Sequence, residues 1–106
     1  MTGKLTLGAL QDYVRSKDHH PNLKLQYLQK LIEEVGELAR AMRKNIRYEE
    51  THEIKGTLEE ELYDVLYYVI ALSNVYDVDL ESVMKQKEPL SSAKYEQLQH
   101  LNRLPK

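Results

Sequence analysis

Two pairs of carboxylates stand at helical spacing in this chain. Glu34 and Glu37 lie within Glu33-Glu34-Val35-Gly36-Glu37, and Glu61 and Asp64 within Glu60-Glu61-Leu62-Tyr63-Asp64. Side chains three apart on a helix are neighbours, so each pair presents its carboxylates side by side. Glu33, four residues before Glu37, joins that face from its edge. Acids so grouped either spread over a solvated face or bind a hard cation through oxygen.

The surroundings favour the cation. Surface acids usually find Lys or Arg three or four residues away. At those offsets Glu61 meets Thr57, Leu58, Asp64 and Val65, and Asp64 meets Glu60, Glu61, Tyr67 and Tyr68. At about 100° per residue the direction of Glu61 and Asp64 continues into Tyr68, Ala71 and Val75, an apolar face. Between Leu62 and Leu72, Asp64 is the single charge. A carboxylate buried there without a partner would cost several kcal/mol or take up a proton. Something positive must face it. Lys30 and Arg40 are at hand on the preceding helix, but two cations do not balance five acids converging from two helices. Lys30 can neutralise the cluster, touch a phosphate or pair with Glu34. A divalent metal fits the remainder, and Mg²⁺ takes oxygen ligands while keeping waters that phosphates can replace. With no cysteine and no suitably spaced His pair, a soft or nitrogen-rich site is disfavoured. Gly36 costs about 1 kcal/mol against Ala in a helix interior, which suggests close approach of another helix or a ligand.

Helices must carry these groups. A first helix is expected from about Thr6 to Lys17, ended by Asp18-His19-His20-Pro21. Asn22 is a plausible N-cap for a long second helix, whose apolar stripe is Leu28, Leu31, Ile32, Val35, Leu38, Ala39 and Met42. Residues 45–56 read as a connection. Thr57-Leu58-Glu59-Glu60 is a capping box opening the third helix. Its body, Leu62 to Leu72, is apolar or tyrosine on nearly every side, more than a small monomer can cover. Tyr63, Tyr67 and Tyr68 are expected in the core or an interface. Asp79 should cap a fourth helix running towards Lys87, Pro89 should break it, and Ser91 or Ser92 should start a last amphipathic segment. The class is all-α, an antiparallel helical bundle in one domain spanning 1–106.

Bulk properties narrow the class further. One domain of 106 residues buries a modest core, and helical ones often complete it by oligomerising. The net charge of −2 argues against a nucleic-acid polymer as partner. No apolar run approaches a membrane span, and the N-terminus lacks a basic region followed by an apolar segment. A cytoplasmic protein is the expectation. Tyr supplies all eight aromatics, and their hydroxyls call for polar or wet surroundings. The basic residues Arg43, Lys44, Arg47 and Lys55 flank the central connection and could screen a triphosphate, but read first as a solvated basic loop.

At the acidic motifs the sequence resembles the MazG-like, all-α nucleoside triphosphate pyrophosphohydrolases, whose hallmark is ExxE on one helix and ExxD on the next. Glu34-Val35-Gly36-Glu37 and Glu61-Leu62-Tyr63-Asp64 match, with residues 38–60 between them. The strings LIEEVGELARAM and EEELYDVLYYVIALSNVYDVDLE are similar to the family's core helices, and the resemblance covers roughly Pro21 to Tyr95. It implies a four-helix core completed in a dimer or tetramer, and Mg²⁺-dependent cleavage of a nucleoside triphosphate to monophosphate and pyrophosphate, with Mn²⁺ able to substitute. House-cleaning of non-canonical nucleotides falls within its scope. By position, Glu34, Glu37, Glu61 and Asp64 would be metal ligands, and Glu33 would orient or deprotonate the attacking water. His20-Pro21-Asn22-Leu23 resembles an H-x-P-x-N-L stretch near the base pocket of the dCTP-cleaving branch, one residue shorter. Lys87, Lys94 and Tyr95 align with that branch's downstream substrate residues, while Ser91 stands where it has Asn.

Three rivals share parts of this pattern. A phosphoribosyl-ATP pyrophosphohydrolase shares the fold and the metal logic. A di-iron bundle uses Glu-x-x-His on two helices, and neither motif here has His in that place. A non-catalytic helical oligomerisation module would hold a structural cation without turning over nucleotide.

Overall fold

A computed structural model describes residues 3–102, apart from the side chains of 91–93, 95 and 97–102. Among the described residues every regular element is helical: α1 (Leu7–Lys17), α2 (Lys24–Lys44), the short α3 (Tyr48–Thr51), α4 (Leu58–Val75) and α5 (Leu80–Asn102), with a 3₁₀ turn at Pro21–Leu23. The all-α expectation holds.

Local chemistry accounts for most of the boundaries. Thr6 caps α1 by accepting from Ala9 N at 3.0 Å. Asp79 caps α5, its Oδ1 accepting from Glu81 N at 3.0 Å and Ser82 N at 3.3 Å. Thr57 Oγ1 accepts from Glu60 N at 3.1 Å, while the Glu60 carboxylate accepts from Gly56 N at 2.7 Å, one residue before the usual capping-box donor. Asn45 ends α2 in the left-handed region (φ 51°) and returns its N–H to Ala41 O at 2.7 Å.

Three boundary expectations need correction. Asn22 does not cap α2: it lies inside the 3₁₀ turn, and Leu23 precedes the helix with no side-chain cap. Pro21 sets the first position of that turn, and Leu23 N donates to His20 O at 2.9 Å, so the chain is already coiled when α2 begins. Residues 45–56 are not a bare connection. They contain α3 and are tied to α4 by Leu58 N donating to Ile46 O at 2.8 Å and by Arg47 Nε donating to Glu59 Oε2 at 2.8 Å. Pro89 does not break α5, which runs through it to Asn102. Proline removes one helical hydrogen bond, and the positions around Pro89 are exposed, so water can serve the carbonyl left over.

α2 and α4 form the body and run antiparallel, as their partners show. Lys30 lies over the Tyr68 ring, whereas Glu34 meets Glu61 and Asp64. The seam that α2 turns to α4 is Tyr27, Leu31, Glu34, Leu38 and Ala41, spaced alternately four and three and buried or half-buried. α1 packs on the other end of α4, where Leu10 and Val14 join Tyr27, Ile70, Ala71 and Val75 in the core. A polar joint locks α1, α4 and α5 together. Gln11 Nε2 donates to Asn74 Oδ1 at 3.0 Å and Val78 O at 2.8 Å, Gln11 Oε1 accepts from Leu80 N at 3.0 Å, and Asn74 Nδ2 returns a bond to Gln11 O at 2.9 Å.

The expected apolar stripe of α2 mostly faces outward. Leu31 and Leu38 are half-buried, but Leu28, Ile32, Val35, Ala39 and Met42 are exposed, Ile32 and Met42 at 62% each. α4 carries its own outward row, Leu62, Leu66 and Val69, continued by Tyr76 just past its end, with Leu62 at 53%. Each helix therefore has two adjacent seams, and the one chain covers only one of them. The radius of gyration, 17.1 Å, exceeds the roughly 13 Å of a compact domain this long. No described helix is long and apolar enough to cross a membrane.

Candidate metal centre

Glu34 reaches the inner seam of α2 because it replaces an apolar residue in the four-three spacing between Leu31 and Leu38. Glu61 and Asp64 lie in the first two turns of α4, on the face that continues into Tyr68, Ala71 and Val75. The antiparallel packing sets these side chains against one another. One carboxylate oxygen from each of Glu34, Glu61 and Asp64 lies within 4.8 Å of the others. All three residues are half-buried.

The electrostatics are uncompensated. Glu61 Oε2 is buried and has no hydrogen-bond partner. Burial pushes the Glu61 carboxyl up to about 7, with Glu34 beside it and the charges of Asp64 and Glu60 adding to the effect. Burial also raises Asp64, helped by Glu34 and Glu60 and opposed by Lys55. Three clustered carboxylates, with Glu61 Oε2 unpartnered, offer oxygen donors that could hold a hard divalent cation. Octahedral Mg²⁺ places its oxygens roughly 3–4 Å apart, so small side-chain rotations would close the set. The cluster contains no histidine, which also weighs against the di-iron pattern.

The other singled-out residues are placed less centrally. Glu37 is half-exposed, lies 3.8 Å from Arg40 Nη1, and shares a cavity of about 230 Å³ with Glu61 and Lys44. Glu33 is exposed, 3.5 Å from Lys30 Nζ, and lines neither of the cavities that Glu34, Glu61 and Asp64 line. Lys30 thus pairs with Glu33 and not Glu34, because Glu34 is turned into the α4 seam; its ammonium also lies 5.9 Å from the Tyr68 ring centre. Lys87 and Lys94 share an open hollow on α5 whose lining includes none of the clustered acids. The side chains of Tyr95 and Ser91 lie outside the described residues. A Cβ added at Gly36 would meet nothing within 4 Å, so no neighbour inside this chain demands glycine there.

Sequence spacing did not reveal the tyrosine framework around the acids. Asp18 accepts from Tyr27 Oη and from Tyr67 Oη, each at 2.7 Å, and so fastens the end of α1 to α2 and α4. Burial would raise the Asp18 carboxyl, but the two tyrosine hydroxyls, with His20 and Lys17 nearby, leave it lowered. Burial and the bond to Asp18 push the Tyr27 hydroxyl up to about 12. Tyr67 and Tyr68 pack edge to face with centroids 5.1 Å apart, and they wall a cavity of about 310 Å³ that Glu34 and Asp64 also line. The Asp18 to Tyr67 bond joins residues 49 apart in the chain, so helical periodicity carries no trace of it.

Comparison with known proteins agrees with this architecture. The family model of the MazG nucleotide pyrophosphohydrolase domain matches residues 23–96. A crystal structure of iMazG from Vibrio DAT 722, in its Ctag form, is 44% identical, with a TM-score of 0.77 over 83% of this chain and 99% of that one. The Ntag form is 43% identical, with a TM-score of 0.74 over 86% of this chain and 98% of that one. No curated protein matches the chain. The matched span contains both acidic motifs, and on it the chain belongs to the MazG nucleotide pyrophosphohydrolase domain family.

Proposed function

We propose that this protein hydrolyses nucleoside triphosphates to the monophosphate and pyrophosphate, with Mg²⁺, or Mn²⁺ in its place, held by Glu34, Glu61 and Asp64 and with Glu37 joining from the rim. The observation that carries the reading is the cluster of three carboxylates within 4.8 Å, one oxygen buried without a partner, inside a MazG domain. When bound, a divalent ion supplies neutralisation of phosphate oxygens and activation of water. The chain's own residues do the rest. Glu33, exposed and adjacent in sequence to Glu34, accepts the proton of the attacking water. Lys30, 3.5 Å away, holds its carboxylate in place and adds positive charge beside the anion. Tyr68 stands between the acid-lined cavity and a second hollow of about 240 Å³ bounded by Leu23, Tyr27 and Lys30, which suits the nucleoside. Lys87, Lys94 and Tyr95 are assigned to substrate by their place in the family pattern.

The test is a panel of canonical and modified nucleoside triphosphates, with phosphoribosyl-ATP included, incubated with Mg²⁺ and resolved by chromatography. Monophosphate and pyrophosphate are expected in equal amounts. Cleavage of phosphoribosyl-ATP alone would assign the chain to that related activity. No turnover of any member, despite metal binding, would leave a non-catalytic module.

The outward rows of α2 and α4 point to assembly with a second copy. Their four-three spacing is that of helices packing knobs into holes, and Gly36 lies beside the α2 row, where a partner helix could approach. Light scattering at micromolar concentration is expected to give at least twice the 12.5 kDa chain mass. The double substitution Ile32→Glu and Leu66→Glu should shift it to monomer. A wild-type protein that is a stable monomer under these conditions sinks the assignment.

A further inference from the structure

Several described cations near the acids are already in ion pairs, while Lys44 shares the Glu37 and Glu61 cavity and Lys55 acts on Asp64 from the chain before α4. Lys30 pairs with Glu33 at 3.5 Å, Arg40 with Glu37 at 3.8 Å and Arg47 with Glu59 at 2.8 Å. Lys17 differs from them. As the last residue of α1 it lines the cavity of about 310 Å³ that also contains Glu34 and Asp64, and among the described residues it has no ion-pair partner within 4.0 Å. Its ammonium is held by aromatic groups instead. Lys17 Nζ lies 5.0 Å from the Tyr13 ring centre and 5.7 Å from that of Tyr67, and donates to Tyr13 Oη at 3.4 Å.

Rings restrict an ammonium without cancelling its charge, since cation–π attraction leaves the ion monovalent and open on its far side. The neighbouring Asp18 feels the Lys17 charge but makes no ion pair with it within 4.0 Å, its two oxygens receiving the hydroxyls of Tyr27 and Tyr67. The same clamp fixes the end of α1 and therefore the position from which Lys17 extends. The result is a positive charge restrained by two tyrosine rings in the lining of a cavity that Glu34 and Asp64 also line. A metal ion alone fits the acids. A polyanion carrying metal on one side and bare oxygens on the other fits both the acids and the ammonium.

We propose that Lys17 is a polyphosphate-binding residue, its ammonium holding the phosphates that become pyrophosphate while the metal-facing oxygens lie towards Glu34 and Asp64. The proposal rests on the functional reading above and adds to it a contact from α1. Lysine is well suited to this as a compact point charge with three donors.

The experiment compares the wild type with Lys17→Met, which keeps much of the apolar stem, and with Lys17→Arg. Calorimetry at saturating Mn²⁺ measures binding of a non-hydrolysable triphosphate analogue, inorganic pyrophosphate and nucleoside monophosphate, alongside Tm and the affinity for Mn²⁺ alone. Lys17→Met is expected to weaken the analogue and pyrophosphate by about tenfold or more, the worth of one hydrogen bond to a charged group. It should change monophosphate binding by less than about threefold, leave Tm in place, and be largely rescued by arginine. If both ligands bind Lys17→Met as well as the wild type, the proposal is overturned. It also falls if monophosphate loses as much as pyrophosphate, or if only the affinity for Mn²⁺ alone moves, since Lys17 would then merely offset the carboxylates. Wild-type protein that binds no triphosphate with metal overturns the functional reading itself, an outcome distinct from those confined to Lys17.

Discussion

Asp64→Asn and Glu61→Gln are expected to abolish turnover while making the metal-free protein harder to melt. The loss follows from ligand chemistry, because a neutral amide is a poor partner for a hard cation. Losing several kcal/mol of charge stabilisation, at about 1.4 kcal/mol per decade, lowers the rate roughly 10³-fold or more. The gain follows from crowding. Glu61 has a folded-state value of about 7 against an ordinary 4.5, so between those values the folded protein keeps a proton that the unfolded chain has lost. Its stabilising effect is fully present below about pH 4.5 and is lost as pH rises through about 7. Asp64, also raised, acts in the same direction. Wild-type apoprotein should therefore melt lower at pH 8 than at pH 5.5, and Glu61→Gln should remove much of that difference. Millimolar Mg²⁺ or Mn²⁺ should restore the wild type at pH 8 by binding the folded state and should do little for either variant. Melting curves at the two pH values, with and without metal, check all of this. A Glu61→Gln protein that is active, or that melts below the wild type at pH 8, would contradict the metal assignment.

Glu33→Gln should behave differently. Glu33 is exposed and 3.5 Å from Lys30, apart from the three acids that converge. Its replacement should leave metal and nucleotide affinity close to wild type and lower the single-turnover rate by about 10²–10⁴, the usual contribution of a positioned general base. Calorimetry with Mg²⁺ and a non-hydrolysable triphosphate, beside single-turnover kinetics, separates the possibilities. If Glu33→Gln loses binding as severely as Asp64→Asn, Glu33 is a ligand. Full activity would make it a surface acid, and another group would have to take the proton.

The amino-acid sequence by itself determined the helical class, the position of the long helices and the anomaly of the acids. These are local or periodic properties. Thr6, Thr57 and Asp79 cap helices through atoms only a few residues away, and the lack of a cation three or four residues from Glu61 and Asp64 can be counted along the chain. The family pattern is legible for the same reason, since it lies within two helical segments. Local rules misjudged Asn22 and Pro89. A 3₁₀ turn competes with a side-chain cap at the first, and hydration makes one missing hydrogen bond tolerable at the second.

Tertiary structure alone decided which seam of α2 turns inward. The Leu28, Ile32, Val35, Ala39 and Met42 row and the Tyr27, Leu31, Glu34, Leu38 and Ala41 row differ by one residue, about 100° of rotation, and share the same spacing. The second row faces α4, and that choice carries Glu34 to Glu61 and Asp64 while Glu37 stays beside Arg40. The placement of Lys17 against the acid cavity, and of Asp18 between Tyr27 and Tyr67, was likewise settled only by packing. Helical periodicity records which face a side chain shares, but not which helix that face will meet.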